Sequence, residues 1–117
     1  MRQSGRRGEE IAAQFLEERG FRIAARNWRA GKAGELDIVA WDGGALVVVE
    51  VKTATGAGFG EPLAWVTPRK IRQLAALAER YVAESAETFD SVRFDVVVVR
   101  AVEGRPRITH LRDAFRP

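Results

Sequence analysis

The sequence predicts an α/β fold in which a central mixed sheet is flanked by helices, with the element order α-β-β-β-α-β-β. Two segments repeat apolar residues at the spacing of a helix face, and shorter segments have the alternation or β-branched composition of strands. The strands on either side of Gly43-Gly44 are apolar on both faces, which is typical of strands in the middle of a covered sheet. The 117 residues fit a single domain, 1–117, without an internal repeat or a linker.

The first half of the chain predicts one helix and three strands. Helical spacing runs from Gly8 to Arg19, and Gly20 follows as a helix stop. Asp42-Gly43-Gly44 is a strong turn signal, so the strand after it returns antiparallel to the strand before it. The predicted strands cover Phe21 to Trp28, Glu35 to Trp41 and Ala45 to Val51.

The second half predicts a long loop, a helix and two strands. Thr53 to Val66 contains three glycines and a proline, and a loop of this length calls for a functional explanation. Thr67 supplies an N-cap and Pro68 occupies the first helical position, so helix two begins there and runs to about Ser85. The remaining predicted strands cover Val92 to Arg100 and Arg107 to Leu111.

Composition excludes several kinds of site. The chain has no cysteine, which excludes thiol catalysis, disulfides and Cys-ligated zinc, and its single histidine, His110, excludes multi-histidine metal sites within one chain. Its apolar runs are far shorter than the roughly 20 residues of a membrane helix. Met1 to Glu10 lacks the apolar core of a secretory signal. We therefore expect a cytoplasmic protein without a membrane partner.

The net charge of +3 is concentrated at the N-terminal end of the chain. Residues 1–35 hold eight Lys or Arg and five Glu, whereas the rest of the chain sums to zero. Arginine supplies 16 of the 19 basic residues, and its planar fork suits phosphate, although a GC-rich genome explains the same bias. We predict nucleic-acid contacts at Arg26, Arg29 and Lys32. Trp28 among them offers a stacking surface for a base, while a solvated basic turn is the alternative explanation.

Charged residues stand out in the two apolar strands of the central hairpin. Counting outward from the turn places Asp37 directly opposite Glu50, where like charges repel. Lys52 shares the face of Glu50, since it lies two residues further along the strand. Carboxylate oxygens of this kind suit Mg²⁺ or Mn²⁺, which would relieve the repulsion and, with a lysine nearby, equip the site for phosphodiester hydrolysis. The alternative is an ordinary strand in which Lys52 forms a salt bridge with one of the carboxylates.

Short motifs follow one another along nearly the whole chain, in an order that is specific as a set. They are Gly8-Glu9 with Ala12, Arg26-Asn27-Trp28-Arg29, Gly34-Glu35-Leu36-Asp37-Ile38, Val49-Glu50-Val51-Lys52, Lys70 with Leu74, and Arg93-Phe94-Asp95-Val96. Together they resemble the YraN family of predicted endonucleases, which belongs to the PD-(D/E)XK nuclease superfamily. The YraN family is similar to archaeal Holliday-junction resolvases. The resemblance implies the restriction-endonuclease-like αβββαβ core of that superfamily.

The resemblance also implies an activity, hydrolysis of DNA by a Mg²⁺- or Mn²⁺-dependent endonuclease. DNA is favoured over RNA as the nucleic-acid partner, and the sequence leaves the choice between them open. Branched or junction DNA, in repair or recombination, is the substrate that it suggests. Asp37 and Glu50 would ligate the metal together with the Val51 carbonyl. Glu9 would complete the acidic cluster, and Lys52 would act on the attacking water.

Other residues of the motifs have more than one explanation. Glu9 falls in the first turn of the predicted first helix, where an interaction with the helix dipole is the alternative to a site role. We place Glu35 off the face of Asp37 and outside the site, although the two are close in sequence. Ala54 departs from the family pattern, since related sequences commonly carry a basic residue at that position.

The second predicted helix and the last strands contribute further candidates. Lys70 and Gln73 lie one turn apart, near the position where the superfamily often places a polar residue by the scissile phosphate. We predict nucleic-acid contacts for both, and a solvent-facing helix surface explains them equally well. Asp95 is expected to be an ion-pair or strand-end residue, and His110 is expected to be structural.

Two other classes of function stay open at this point. One is a non-catalytic module that keeps the nuclease fold and docks on nucleic acid or on a protein. The other is a structural domain without a nucleic-acid role. The oligomeric state is also open, and a homodimer would suit the two-fold symmetry of a four-way junction.

Overall fold

The structure, a computed structural model, describes residues 3–55, 66–102 and 104–117. Its helices and strands follow one another in the predicted order. Most of the predicted loop from Thr53 to Val66 lies outside the described residues, and the first residues of that segment continue the third strand. The elements are α1 (Gln3–Glu18), β1 (Arg22–Arg29), a 3₁₀ turn (Gly31–Ala33), β2 (Glu35–Asp42), β3 (Ala45–Thr55), α2 (Pro68–Glu84), β4 (Ser91–Val102) and β5 (Arg105–Leu111).

The strands of the described residues form one five-stranded sheet in the order β1-β2-β3-β4-β5. Neighbouring strands run antiparallel except β3 and β4, which run parallel and pair over residues 45–55 and 91–101. Parallel neighbours need a crossover connection, and α2 lies in the segment that supplies it. The predicted α/β fold with a mixed sheet is therefore confirmed.

The two helices cover opposite faces of the sheet. Leu16 of α1 belongs to a buried cluster with Val47, whereas Leu74 of α2 belongs to a second cluster with Val48. Val47 and Val48 are successive residues of β3, so one strand fills both cores with alternate side chains. This confirms that the central hairpin is buried on both faces.

The helix starts include one correct prediction and one wrong one. At the start of α2 the Thr67 hydroxyl accepts a hydrogen bond of 3.1 Å from the Lys70 N–H, and Pro68 lies in the first turn, as predicted. The first helix begins at Gln3 rather than at Gly8, because the polar residues before Gly8 carry no apolar periodicity that would reveal a helix. Neither described helix is long and apolar enough to cross a membrane.

The predicted register of the hairpin is confirmed. Strands β2 and β3 pair from the turn as far as Ile38 and Val49. Asp37 and Glu50 are therefore the next positions on the two strands. Here the carboxylate of Asp37 reaches across to β3, where its Oδ2 accepts a hydrogen bond of 2.9 Å from the Val51 N–H. The Asp37 side chain thus bonds to the backbone of β3 just beyond the last backbone pair of the two strands.

Backbone irregularities in β1 and β2 lie beside this position. Asn27 has a φ of 52°, a left-handed conformation that asparagine tolerates better than most residues. In β2, Leu36 packs on the α2 side, whereas Ile38 packs on the α1 side. Residues two apart in a regular strand share a face, so the alternation changes at Asp37.

A buried ion network ties β4 to β5. Asp95 is fully buried, and it accepts hydrogen bonds of 2.9 and 3.0 Å from Arg93 and one of 2.9 Å from the Asp113 N–H. His110 Nε2 lies 2.8 Å from Asp95 Oδ2. Burial alone would raise the pKa of Asp95, but the bonds from His110, Arg93 and Asp113 outweigh it and hold the pKa at about 2. Asp95 is therefore confirmed as an ion-pair residue, and His110 has a structural partner.

Candidate metal centre

Carboxylates from three elements converge where β2 and β3 stop pairing. Glu9 of α1 and Glu35 and Asp37 of β2 each bring one oxygen into a group whose members lie within 4.8 Å of one another. Glu50 of β3 is the strongest charge acting on Asp37. We call these four residues the acidic centre. Glu9 and Glu50 are 8% and 5% exposed, so the fold holds their charges in place rather than leaving them free in solvent.

Close packing of α1 on β3 positions Glu9. A Cβ atom at Gly8 would overlap the hydroxyl of Thr53, so a larger residue would require the Thr53 side chain or the helix to shift. Because α1 begins at Gln3, Glu9 lies beyond the first helical turn, and the prediction that it falls in the first turn is wrong. The helix dipole acts mainly within the first turn, so it is a weak alternative explanation for Glu9.

Asn27 belongs to this site, and the sequence analysis assigned it no role. Its Nδ2 donates to Glu9 Oε1 at 2.7 Å and to Glu35 Oε2 at 3.2 Å. One neutral amide therefore bridges two carboxylates without cancelling either charge. Asparagine is depleted in strands, and its presence inside a strand motif was the only sequence signal that could have marked it.

Glu35 corrects a second prediction. We expected it off the face of Asp37 and outside the site, but its carboxylate lies in the same group as those of Glu9 and Asp37. The expectation was wrong because residues two apart in a strand point to the same side. Arg29 lies at the outer edge of this group, with its Nε 3.5 Å from Glu35 Oε1.

Asp37 has the most perturbed environment of the acidic centre. Burial raises its pKa, the neighbouring charges of Glu50 and Glu9 raise it further, and the result is a pKa of about 8. The hydrogen bond from the Val51 N–H and the charge of Lys70 act in the opposite direction but do not compensate. A carboxyl held protonated at neutral pH by burial and by neighbouring acids is typical of functional sites, and a bound cation would act against both effects.

Two lysines face Glu50. Its Oε2 lies 3.4 Å from Lys70 Nζ and 3.9 Å from Lys52 Nζ, which agrees with the prediction that Lys52 shares the face of Glu50. The lysine side chains are 34% exposed for Lys52 and 31% for Lys70, so both ammonium groups lie at the boundary with solvent. Glu50 therefore has two lysines as counterions, and Glu35 has Arg29.

The other predicted nucleic-acid residues lie on β1, on the 3₁₀ turn and on α2. Arg26 and Arg29 are exposed on β1, and Lys32 is exposed in the 3₁₀ turn that follows. Gln73 of α2 donates a hydrogen bond of 3.2 Å to the Ala33 carbonyl, which ties the helix to this turn. Gln73 thereby supports the loop that carries Lys32.

The donor set fits a hard divalent cation. The side chains of the acidic centre offer carboxylate oxygens, which suit Mg²⁺, Mn²⁺ or Ca²⁺ better than zinc or copper. At Val51 the N–H is used by Asp37, while the carbonyl is a predicted ligand. The chain thus has a group of acidic residues that could hold a metal.

Comparison with known proteins identifies the family. Residues 8–99, which include the whole acidic centre and Lys52, match the model of the family described as "Uncharacterised protein family UPF0102". The chain belongs to the UPF0102 family. This is the YraN family that the motifs predicted.

UPF0102 relatives cover almost the full length of the chain. The UPF0102 protein of Acidothermus cellulolyticus is 51% identical over an alignment of 122 positions, which covers 95% of this chain and 92% of the relative. The UPF0102 protein of Rhodococcus opacus is 46% identical, with coverage of 95% and 94%. The UPF0102 protein of Symbiobacterium thermophilum is 46% identical over 115 residues, 97% of each chain.

Proposed function

We propose that this chain is a Mg²⁺- or Mn²⁺-dependent endonuclease of the PD-(D/E)XK superfamily that hydrolyses phosphodiester bonds in DNA. The observation that carries the proposal is the environment of Asp37. Its carboxyl is half-buried beside Glu9, Glu35 and Glu50, and its pKa of about 8 reflects burial and neighbouring acids whose effect the groups of the protein do not offset. Such a site favours a cation supplied from outside.

The acidic centre would hold the cation through oxygens of Glu9, Glu35 and Asp37, with Glu50 and the Val51 carbonyl as further ligands. A bound divalent cation supplies an acidified water and polarises a phosphoryl oxygen. The residues of the chain then fix the geometry. Asp37 is held by the Val51 N–H, so its second oxygen keeps a defined direction.

The lysines divide the remaining work. Lys52 lies at the open side of the centre and would orient the attacking water or stabilise the negative charge that develops on the phosphate. Lys70 lies closer to Glu50 than Lys52 does, and it would hold that carboxylate in a fixed orientation. Phosphate contacts at Arg26, Arg29 and Lys32 would hold the DNA on the β1 side of the centre.

The test is a cleavage assay on labelled linear, flapped and four-way DNA with Mg²⁺ or Mn²⁺. Lys52→Ala should reduce cleavage at least about a hundredfold. Glu9→Gln should also reduce it, whereas Glu10→Gln makes the same charge change at an exposed neighbour and should not. Preference for the four-way substrate would support the similarity to resolvases, which is an argument by analogy.

Two outcomes would count against the proposal. Cleavage that is equal in wild type and Lys52→Ala would come from a contaminant. DNA binding without cleavage under either metal would favour the non-catalytic nucleic-acid module instead.

A further inference from the structure

A cleft of about 210 Å³ opens between the beginning of α1 and the ends of β3, β4 and β5. Its walls are apolar, with Ile11 from the helix and Val99 from the sheet among them. Three arginines also line it, Arg7, Arg100 and Arg105. None of the described residues that line this cleft is acidic. We call it the arginine cleft.

The arginine cleft borders the acidic centre directly. Gly8 and Thr53, the residues through which α1 packs on β3, also line the cleft. Gly8 precedes Glu9 in the chain, and Thr53 follows Lys52. The cleft therefore begins one residue along the chain from two proposed site residues, Glu9 and Lys52.

The cleft lies on the other side of the acidic centre from the basic residues that the sequence analysis singled out. In the sheet order, Arg26 and Arg29 are on β1, whereas Arg100 and Arg105 belong to β4 and β5. The acidic centre lies between them, at the junction of β2 and β3. Arg107 pairs directly with Arg100 across the β4–β5 ladder and adds a further guanidinium group to this side.

The chemistry of the cleft favours one kind of occupant. Guanidinium groups bind phosphate oxygens with two parallel hydrogen bonds, and apolar walls suit the sugars between phosphates. We infer that the arginine cleft holds the sugar-phosphate backbone of the DNA on the β4–β5 side of the cleavage position, opposite the β1 side where Arg26 and Arg29 lie. This inference rests on the proposed function and extends its substrate contacts to both sides of the acidic centre.

The test compares two double variants that remove the same charge. Arg7 and Arg105 are exposed, so Arg7→Ala with Arg105→Ala should fold normally. The control is Arg80→Ala with Arg116→Ala, two exposed arginines outside the cleft. Affinity for a fluorescent four-way DNA and for a duplex is measured in EDTA over a range of salt concentrations.

The cleft variant should bind at least about tenfold more weakly than wild type, because two phosphate contacts are lost. The slope of log affinity against log salt should fall by about 2, roughly one per contact, while the control keeps the wild-type slope. A wild-type slope in the cleft variant, or the same loss in the control, would overturn the inference and leave the proposed function standing. Wild type that binds neither DNA at low salt would overturn both. Loss of binding to polyglutamate, with DNA binding unchanged, would assign the cleft to an acidic protein segment instead.

Discussion

Asp37 and Asp95 both interrupt apolar strands of the central sheet, yet their protonation equilibria are shifted in opposite directions. Burial and the charges of Glu50 and Glu9 raise the pKa of Asp37 to about 8. Burial would also raise the pKa of Asp95, but its hydrogen bonds to His110, Arg93 and the Asp113 N–H lower it to about 2. The two sites differ in their counterions, since burial acts on both in the same direction.

The difference separates a structural charge, Asp95, from one that we propose to be functional, Asp37. Asp95 meets an arginine through two hydrogen bonds, a histidine and a backbone N–H, so the fold itself supplies everything that a buried carboxylate needs. Asp37 has one backbone N–H and is surrounded mainly by other acids. A protein that buries a charge without its counterion leaves room for a ligand to supply one.

The largest effect is expected from Asp37→Asn, which keeps the shape of the side chain and removes its charge. The variant should lose essentially all cleavage. Without metal it should be at least as stable as wild type, because asparagine avoids the repulsion from Glu50 and needs no proton, whereas folded Asp37 must keep one. Wild type should gain thermal stability with millimolar Mg²⁺ or Mn²⁺, since the folded state alone binds the ion, and the variant should lose most of this gain.

Thermal melts with chelator and with metal check the prediction for Asp37→Asn. A destabilised variant, together with a wild type whose melting temperature ignores both metals, would make Asp37 an ordinary structural residue like Asp95. The comparison between the two aspartates would then fail.

Asp95→Asn should have the opposite profile. The change leaves Arg93 and His110 without their buried anion, and breaking a buried pair of this kind costs about 3 kcal/mol of unfolding free energy. The gain in stability with metal should persist, because the acidic centre is unchanged. Urea denaturation measures the loss, and Asp90→Asn at an exposed position should stay within about 0.5 kcal/mol of wild type. If Asp95→Asn also abolished the stabilisation by metal, the distinction between a structural Asp95 and a metal-binding Asp37 would be contradicted.

The pH dependence of metal-free wild type should show both aspartates in separate windows. Between the ordinary value of 3.8 and about 8, folded Asp37 keeps a proton that the unfolded chain has released, so stability should fall as pH rises through this window. For Asp95 the sign is reversed: between 3.8 and about 2 the unfolded chain binds the proton, so stability should fall as pH drops.

Chemical denaturation in chelator at a series of pH values measures these two slopes. Glu50, Glu9 and Lys70 are the charged groups that act on Asp37. Asp37→Asn should flatten the dependence above pH 4 and leave the acid limb intact. An unchanged slope in this variant would assign the effect to another group.

The sequence predicted those features that depend on periodic patterns. The order of elements, the register of the hairpin and the shared face of Glu50 and Lys52 follow from alternation and from a turn with a fixed register. The start of α1, the place of Glu35 in the acidic centre and the amide bridge from Asn27 were missed. Asn27 reaches the carboxylates from a left-handed backbone position that a regular strand does not have. Glu35 could have been predicted, since residues two apart in a strand share a side with each other.

Asn27→Gly should give the smallest effect and the sharpest view of how the acidic centre is held. Glycine accepts the φ of 52° without strain, so the change removes the amide that bridges Glu9 and Glu35 and leaves the backbone where it is. Residues that orient metal ligands typically change metal affinity by tenfold or more, and we expect about a tenfold weaker midpoint for Mn²⁺. Stability in chelator should change by no more than about 1 kcal/mol.

Asn27→Ala should weaken Mn²⁺ binding equally but lose additional stability, because alanine is strained at this φ. Metal titrations followed by thermal shift separate the two readouts. If Asn27→Gly binds Mn²⁺ as wild type does, the amide is a structural bridge, and the geometry of Glu9 and Glu35 is set by the helix and strand alone.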